Sequence, residues 1–180
     1  MGLLDNILGG GTNAGNNAYS VPIPFIPQNL QQMMQMPYAA MNNEFEVAAL
    51  TVAVLCNYCQ NPQATIEMLN YLRGPRPLST MEIQFLRDRL SGKGYKPASF
   101  FAGATVENGY TPSVPYTITV EDNPYSYPDA NFATMWVRSA GADSPRSIRL
   151  RKKPSTGQWF LVEIQCLSDI RIPAAEDPWA

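Results

Sequence analysis

A cluster of basic residues is the most chemically distinctive feature of this sequence. Five of its thirteen lysines and arginines lie between positions 146 and 153. Successive side chains of a β-strand point to opposite faces of the sheet, so Arg149 and Arg151 share one face while Ile148 and Leu150 share the other. This pattern is typical of a half-buried strand with a solvated face, but it also predicts a patch that binds an anion or an acidic partner.

Glu163 is the carboxylate with the most informative surroundings. It alternates with Val162 and Ile164, which predicts that it faces with Trp159 and Leu161. We expect it to form a cross-strand ion pair with Arg149 or Arg151 rather than to act as a catalytic acid, because isolated carboxylates are usually solvated or paired.

An aromatic side chain beside the basic cluster would strengthen the binding interpretation, and Trp136 and Trp159 are the candidates. The binding residues that the sequence predicts are Arg149, Arg151, Lys153, Trp159 and Glu163. No catalytic residue, metal ligand or cofactor is predicted.

Cys56 and Cys59 form a C-x-x-C motif. A redox motif of this kind requires its first cysteine at a helix N-terminus, where the helix dipole lowers the pKa of the thiol. Here the motif falls near the end of a predicted helix, where the dipole has the opposite sign. A zinc site needs two further ligands, and Cys166 is the only other cysteine. We therefore expect buried structural thiols.

The complete absence of histidine excludes the commonest catalytic chemistries. Ser-His-Asp and Cys-His activation and histidine-containing zinc sites are not available. Chemistry based on carboxylates, tyrosine or lysine remains open. The net charge of −2 argues against broad nucleic-acid binding, which depends on the neutralisation of phosphates.

Residues 1–42 are predicted to be a flexible N-terminal arm. Its first residues place Leu3, Leu4, Ile7 and Leu8 on one stripe of a short helix. We expect this amphipathic segment to dock on a protein partner or on its own domain, and a membrane contact is disfavoured because no Lys or Arg is nearby. Residues 12–42, with turn residues, prolines, glutamines and methionines, are interpreted as a linker.

The pattern after Asn43 predicts a single α+β domain over residues 43–180. Three helices are expected, over residues 44–58, 62–72 and 80–90. The first is apolar nearly all round, as a buried helix is, and the other two begin at capping signals. Four short β-prone segments follow, at residues 116–120, 132–138, 147–152 and 159–165. We therefore predict three helices packed on a four-stranded antiparallel meander. A cytoplasmic location is expected, because residues 1–20 lack the basic and apolar regions of a secretory signal and the odd cysteine count fits free thiols.

The chain from about Ala48 to Trp179 resembles an uncharacterised bacterial family, a domain of unknown function met mainly in anaerobic Gram-positive gut bacteria. The resemblance is carried by segments 68–75 (MLNYLRGP), 84–89 (QFLRDR), 110–112 (YTP), 115–120 (PYTITV), 149–161 (RLRKKPSTGQWFL), 170–173 (IRIP) and 176–179 (EDPW). It implies a bacterial, cytoplasmic protein and supplies no catalytic residue.

Two functions are consistent with these observations. The first is a non-enzymatic interaction module that uses the N-terminal arm, for a protein partner or for self-association, together with a basic and aromatic sheet face. The alternative is a site between the helices and the sheet, for a small ligand or for carboxylate- or tyrosine-based catalysis.

Overall fold

The computed structural model of the chain describes residues 16–180. The elements, in chain order, are β1 (Ala18–Pro22), α1 (Leu30–Met33), a 3-10 helix (Pro37–Ala40), α2 (Glu44–Leu55), α3 (Pro62–Arg73), α4 (Thr80–Leu90), α5 (Tyr95–Ala98), β2 (Thr117–Glu121), β3 (Phe132–Val137), β4 (Arg146–Lys153), β5 (Gln158–Gln165) and a 3-10 helix (Ala174–Glu176). The α+β class is confirmed.

The sheet is antiparallel and has five strands in the order β1-β2-β3-β4-β5. The four predicted strands are present as β2 to β5, and their order along the sheet is the predicted meander. The predicted count of four is wrong, because β1 pairs with β2 at the edge of the sheet. That strand comes from the segment expected to be a linker, where its prolines concealed it.

The three predicted helices form α2, α3 and α4, and the last two begin at the expected caps. The side chain of Asn43 accepts hydrogen bonds from the first turn of α2. Asn61 does the same for α3, with Pro62 as the first helical residue. Ser79 and Glu82 form a capping box at the start of α4. Two one-turn helices, α1 and α5, were not predicted.

Helix α2 is buried along almost its whole length, from Phe45 to Leu55. It contacts α3, α5 and all five strands. A helix that is apolar on every side requires this central position, because no side of it is suited to water. The core therefore lies between α2 and one face of the sheet.

Residues 18–42 are part of this fold, contrary to the expectation of a flexible arm. Val21, Met33 and Met36 are buried in the core. The hydroxyl of Tyr38 donates to the Pro22 carbonyl at 2.7 Å, which fixes β1 to the segment that follows it. The amphipathic segment at Leu3–Leu8 lies outside the described residues.

The outer edge of β5 is closed by two hydrogen bonds. The Trp159 N–H donates to the Met41 carbonyl at 2.8 Å. The Arg73 guanidinium, at the end of α3, donates to the Val162 carbonyl at 2.6 Å. Such coverage prevents unwanted pairing at an exposed strand edge.

No helix within residues 16–180 is long and apolar enough to cross a membrane.

Candidate functional site: a cationic groove

A β-bulge decides which side chains share a face of the β4–β5 hairpin. The register shifts between Arg149, which pairs with Glu163, and Leu150, which pairs with Leu161. Val162 is therefore the extra residue of the bulge. Because of it, Glu163 faces with Arg149 instead of with Leu161.

The hairpin register settles the face of Trp159, which the sequence left open, and the bulge corrects the predicted placement of Glu163. Trp159 is buried on the core face, next to Lys152, and does not share a face with Arg149 and Arg151. Glu163 does not face with Trp159 and Leu161. The predicted ion pair is confirmed, since Arg149 Nη1 lies 3.3 Å from Glu163 Oε2.

The face opposite the core, which we call the open face, carries three rows of side chains across β3, β4 and β5. Directly paired residues of antiparallel strands point to the same face. The rows are Trp136–Ser147–Gln165, Thr134–Arg149–Glu163 and Phe132–Arg151–Phe160. Trp136 therefore shares the face of Arg149 and Arg151, as the binding interpretation allowed. The last row places an arginine between two aromatic rings.

A groove of about 550 Å³ opens at the Phe132–Arg151–Phe160 row, and we call it the cationic groove. Five of its lining residues are cationic, and the others are phenylalanine, proline, leucine and valine: Arg73, Pro75, Arg76, Phe132, Arg151, Lys152, Lys153, Pro154, Phe160, Leu161 and Val162. No carboxylate from residues 16–180 lines it. It combines an apolar floor with a positive rim.

The cationic side chains of the groove are held in different ways. Arg73 is fixed by the Val162 carbonyl, by the Arg76 carbonyl and by an ion pair with Glu82. The Arg151 guanidinium lies 5.3 Å from the centre of the Phe132 ring, and Lys152 Nζ lies 5.7 Å from the Trp159 ring. Such contacts orient a cation and leave its charge uncompensated.

Four of these cations have no anionic partner in the described part of the chain. The four ion pairs there involve Arg73, Arg138, Arg149 and Arg171. The unpaired groove cations are Arg76, Arg151, Lys152 and Lys153. Arg149, although predicted as a binding residue, is paired and does not line the groove.

The groove wall depends on a close contact between Gly74 and Phe160. Gly74 ends α3 with a φ of +63°, and a Cβ atom there would lie 2.4 Å from Phe160 Cδ1. Only glycine fits this combination of backbone conformation and contact. It brings the Pro75–Arg76 segment alongside the ring that forms the groove floor.

A family comparison places these features in context. The model of a family described as a domain of unknown function (DUF6935) matches residues 25–174. The chain belongs to this DUF6935 family. No curated protein and no solved structure matches the chain. The predicted resemblance to a domain of unknown function is thereby confirmed, and its bacterial distribution stays a prediction.

The DUF6935 match agrees with the structural boundaries better than the predicted domain start at Asn43. It begins at Phe25, and so includes α1 and the 3-10 helix at Pro37–Ala40. It also includes every residue that lines the cationic groove. The groove is therefore a part of the matched domain and not of an appended segment.

The cysteines of this DUF6935 chain are three free thiols. Burial raises the pKa of the Cys166 thiol to about 12, and burial with the neighbouring cysteines raises that of Cys56. Cys59 is exposed, contrary to the prediction, and its thiol donates to the Leu90 carbonyl at 3.2 Å. No cluster of metal-ligating side chains occurs within residues 16–180.

Other polar groups in unusual surroundings serve the fold. Lys96 is buried and donates to the Leu167 carbonyl at 3.2 Å, and burial lowers the pKa of its amine. Tyr127 donates to Glu44 at 2.8 Å, and burial together with that carboxylate raises the pKa of the phenol. Neither residue lines the cationic groove.

A second hollow, of about 520 Å³, lies at the other end of the open face. It is lined by Asn17, Glu121, Trp136 and Arg138, among others. Glu121 and Arg138 form an ion pair there. The lining of this hollow also includes Asp122, whose carboxylate accepts hydrogen bonds from Asn17. The single cation that lines this hollow, Arg138, is therefore paired, in contrast to most of those of the cationic groove.

The sequence pointed to Arg151 and Lys153 but missed most of the groove. Arg73, Arg76, Phe132 and Phe160 come from three separate segments, and only the folded register brings them together. The alternation of Phe132 with buried Ala133 and Met135 was the available indication that its ring faces away from the core.

Proposed function

We propose that this chain is a non-enzymatic interaction module that binds an acidic protein segment in the cationic groove. The segment would carry carboxylates for the rim and one aromatic or aliphatic side chain for the floor. This keeps the interaction role expected from the sequence, and replaces a flat basic and aromatic face by a defined groove.

One observation carries the proposal. Four of the five cationic side chains around an apolar floor have no carboxylate partner within residues 16–180, in a protein with a net charge of −2. Structural cations are normally solvated separately or paired, as Arg149, Arg138 and Arg171 are. A concentrated and uncompensated set beside exposed rings favours an anionic partner with an apolar anchor.

Nucleic acid fits this site less well. Beyond the groove, the open face pairs Arg138 with Glu121 and Arg149 with Glu163, so a phosphate backbone that extended along the sheet would meet cations that are already neutralised. A short acidic segment, in contrast, would contact only the positive rim.

A small anionic ligand is the second candidate. The groove volume of about 550 Å³ is within the usual range for small-molecule sites. The lining contains no tyrosine and no carboxylate among the described residues, so the groove supports binding and not the carboxylate- or tyrosine-based enzyme considered from the sequence. Ligand-detected NMR with phenyl phosphate would test this candidate.

We also propose a bacterial, cytoplasmic setting, which the three free thiols support.

The test is fluorescence anisotropy with labelled peptides that contain four glutamates around one central Phe, Trp, Leu or Ile. We expect at least one of them to bind, and binding to weaken as salt is raised. Substitution R151Q/K153Q should weaken it about fivefold to thirtyfold, since two exposed charge contacts contribute roughly 1–2 kcal/mol together.

The matched control is R149Q, which removes a cation from the same strand and face but outside the groove. It should leave the affinity almost unchanged. A second control replaces the four glutamates by glutamines, which should abolish binding. Equal losses for R149Q and R151Q/K153Q would show that net charge and not the groove attracts the peptide, and would contradict the proposal.

A further inference from the structure

We propose that the segment bound in the cationic groove continues along β5 and places a second, uncharged apolar side chain in a hollow beside α4. This inference rests on the proposed function, because it names a further part of the partner that the groove is proposed to bind. The partner is then a bipartite segment, with an acidic half for the groove and an apolar half for the hollow.

The hollow, which we call the α4 hollow, lies between α4 and the end of β5 and has a volume of about 420 Å³. Its lining residues come from α3, α4, β5 and the connections beside them: Arg73, Leu78, Glu82, Phe85, Leu86, Glu163, Ile164, Gln165 and Ser168. Phe85 is 37% exposed and adjoins three further apolar side chains of this lining. Apolar side chains grouped around a hollow can hold an apolar group of a partner.

The charged side chains that line the α4 hollow are all paired. Arg73 Nη2 lies 3.1 Å from Glu82 Oε1, and Glu163 forms its ion pair with Arg149. The Gln165 amide also donates to Glu163 at 3.0 Å. A charged side chain of a partner would lose hydration there without gaining an unpaired opposite charge. The α4 hollow therefore suits an uncharged apolar side chain, whereas the unpaired cations of the cationic groove suit carboxylates.

The α4 hollow adjoins the cationic groove. Arg73 lines both of them, and its guanidinium is held at their junction by the Val162 carbonyl and by Glu82. Consecutive stretches of β5 line the two sites, with residues 160–162 in the groove and residues 163–165 in the hollow. A single segment that follows β5 would therefore contact both sites.

The distance between the two sites sets the spacing of the two anchors in the partner. Leu161 and Ile164, at the middle of the two stretches, are three residues apart along β5, which corresponds to about 10 Å. An extended partner segment covers this distance in about three residues. We therefore expect the second apolar side chain three or four residues from the aromatic or aliphatic anchor of the acidic half.

One connected segment is favoured over two separate partners. Once the acidic half is bound, the short connection holds the apolar half near the α4 hollow at an effective concentration in the millimolar range. A separate apolar group would have to reach that concentration in free solution. The apolar contact therefore adds affinity to the acidic half although it is too small to bind strongly alone.

The test extends the labelled peptide of four glutamates around a central phenylalanine by one leucine, and measures its affinity by fluorescence anisotropy. The leucine stands three to six positions from the phenylalanine, on either side of it, and serine at the same position gives the reference peptide. We expect leucine three or four positions away to increase the affinity about fivefold to twentyfold over serine, because its side chain leaves water.

Two matched variants of α4 locate this gain. F85A removes the ring that lines the hollow, and should reduce the gain from leucine to less than about twofold while the affinity for the serine peptide stays unchanged. M81A is the control, because Met81 is 82% exposed on the same helix and does not line the hollow. It should leave both affinities unchanged. R151Q/K153Q should weaken both peptides by the same factor, since it acts on the acidic half alone.

The two proposals fail in different ways. If the serine peptide binds and no leucine peptide binds more tightly, the bipartite inference is overturned and the proposed function stands. Equal gains at every spacing, or equal effects of F85A and M81A on the gain, would overturn it as well, because the leucine would then have no defined site. If no peptide of either kind binds, the proposed function fails and the inference fails with it.

Discussion

Arg149 and Glu163 form an ion pair of 3.3 Å across β4 and β5 only because Val162 is an extra residue in β5. Regular alternation would have placed the Glu163 carboxylate with buried Leu161. The bulge thus changes the face of a charged side chain without changing the strand itself.

This pair should contribute little to stability. Both side chains are 45% exposed, and exposed ion pairs contribute roughly 0.2–1 kcal/mol. We expect R149Q and E163Q each to lower the free energy of unfolding by less than about 1 kcal/mol, measured by urea denaturation. A double-mutant cycle should give a coupling in the same range, and a coupling above about 2 kcal/mol would contradict this account.

Substitution at the Gly74–Phe160 contact should destabilise the protein far more than loss of this ion pair. G74A combines a positive φ with a Cβ placed 2.4 Å from Phe160 Cδ1, so it must displace the ring or the end of α3. We expect a loss of about 2 kcal/mol or more in the free energy of unfolding. Thermal and urea denaturation would measure it.

Gly92 provides the matched control for this substitution. Its φ is +68°, and nothing lies within 4 Å of the position of its Cβ. The loss in the free energy of unfolding that G92A causes therefore comes from backbone strain alone and should be about 1 kcal/mol. The double variant G74A/F160A should lose less than the sum of its single changes, because the clash is absent without the ring. Equal losses for G74A and G92A would show that the contact with Phe160 is unimportant.

Removal of residues 1–42 should unfold the protein rather than release an arm. It deletes an edge strand and six buried apolar side chains: Val21, Ile23, Met33, Met36, Tyr38 and Met41. At roughly 1.5–3 kcal/mol for each, the loss is on the order of 10 kcal/mol, comparable to the whole stability of a typical domain. Circular dichroism should show no cooperative thermal transition.

A chain that begins at residue 16 is the control for that deletion. It keeps all six side chains and should unfold cooperatively. The milder variant Y38F removes only the hydrogen bond to the Pro22 carbonyl, 2.7 Å long, and should cost about 1 kcal/mol. If residues 43–180 alone unfolded at the same temperature as the wild type, residues 18–42 would not be needed for the fold.

Glu82 should make stability depend on pH in the acidic range. Burial raises the pKa of this carboxyl, but hydrogen bonds from Ser79 and the charge of Arg73 outweigh burial and lower the pKa below its ordinary value of 4.5. A pKa that is lower in the folded state adds stability above the ordinary value, and this stability is lost as the pH falls through the folded value.

The variant E82Q isolates this contribution, since glutamine keeps the capping-box hydrogen bond and loses the charge. We expect it to be less stable than wild type at pH 7 by less than about 1 kcal/mol, because the carboxylate side chain is 42% exposed. The difference should be smaller at pH 3 than at pH 7, because the carboxyl begins to be protonated below its ordinary pKa of 4.5. E67Q, at an exposed position of α3 with no ion pair within residues 16–180, is the control that removes the same charge. An unchanged E82Q difference at both pH values would exclude this mechanism.

The sequence allowed α2, α3 and α4 to be predicted because their limits are local. Asn43, Asn61 and Ser79 each accept hydrogen bonds from the residues that follow them. Strands β2 to β5 were predictable for the same reason, from short alternating runs between turns.

The remainder depends on contacts between distant segments. β1 contains a proline and only five residues, and it becomes a strand because β2 offers an edge. The bulge at Val162 leaves no local pattern that distinguishes it from regular alternation. The groove joins Arg73 and Arg76 to the β4–β5 hairpin, and their proximity depends on how the end of α3 packs on Phe160.

Because the edge of β5 is closed, a further strand can be added to the sheet only at the opposite edge, beside β1. Met41 and Arg73 occupy the hydrogen-bonding positions of that edge at Trp159 and Val162. At the opposite edge, the Asp122 N–H donates to the Asn17 carbonyl and the Ile23 N–H donates to the Tyr116 carbonyl, one bond at each end of β2. The alternation of an antiparallel ladder therefore turns the peptide groups of Ala18 and Ser20 outward. A strand from another molecule could extend this sheet at β1, so assembly by strand addition would be one-sided.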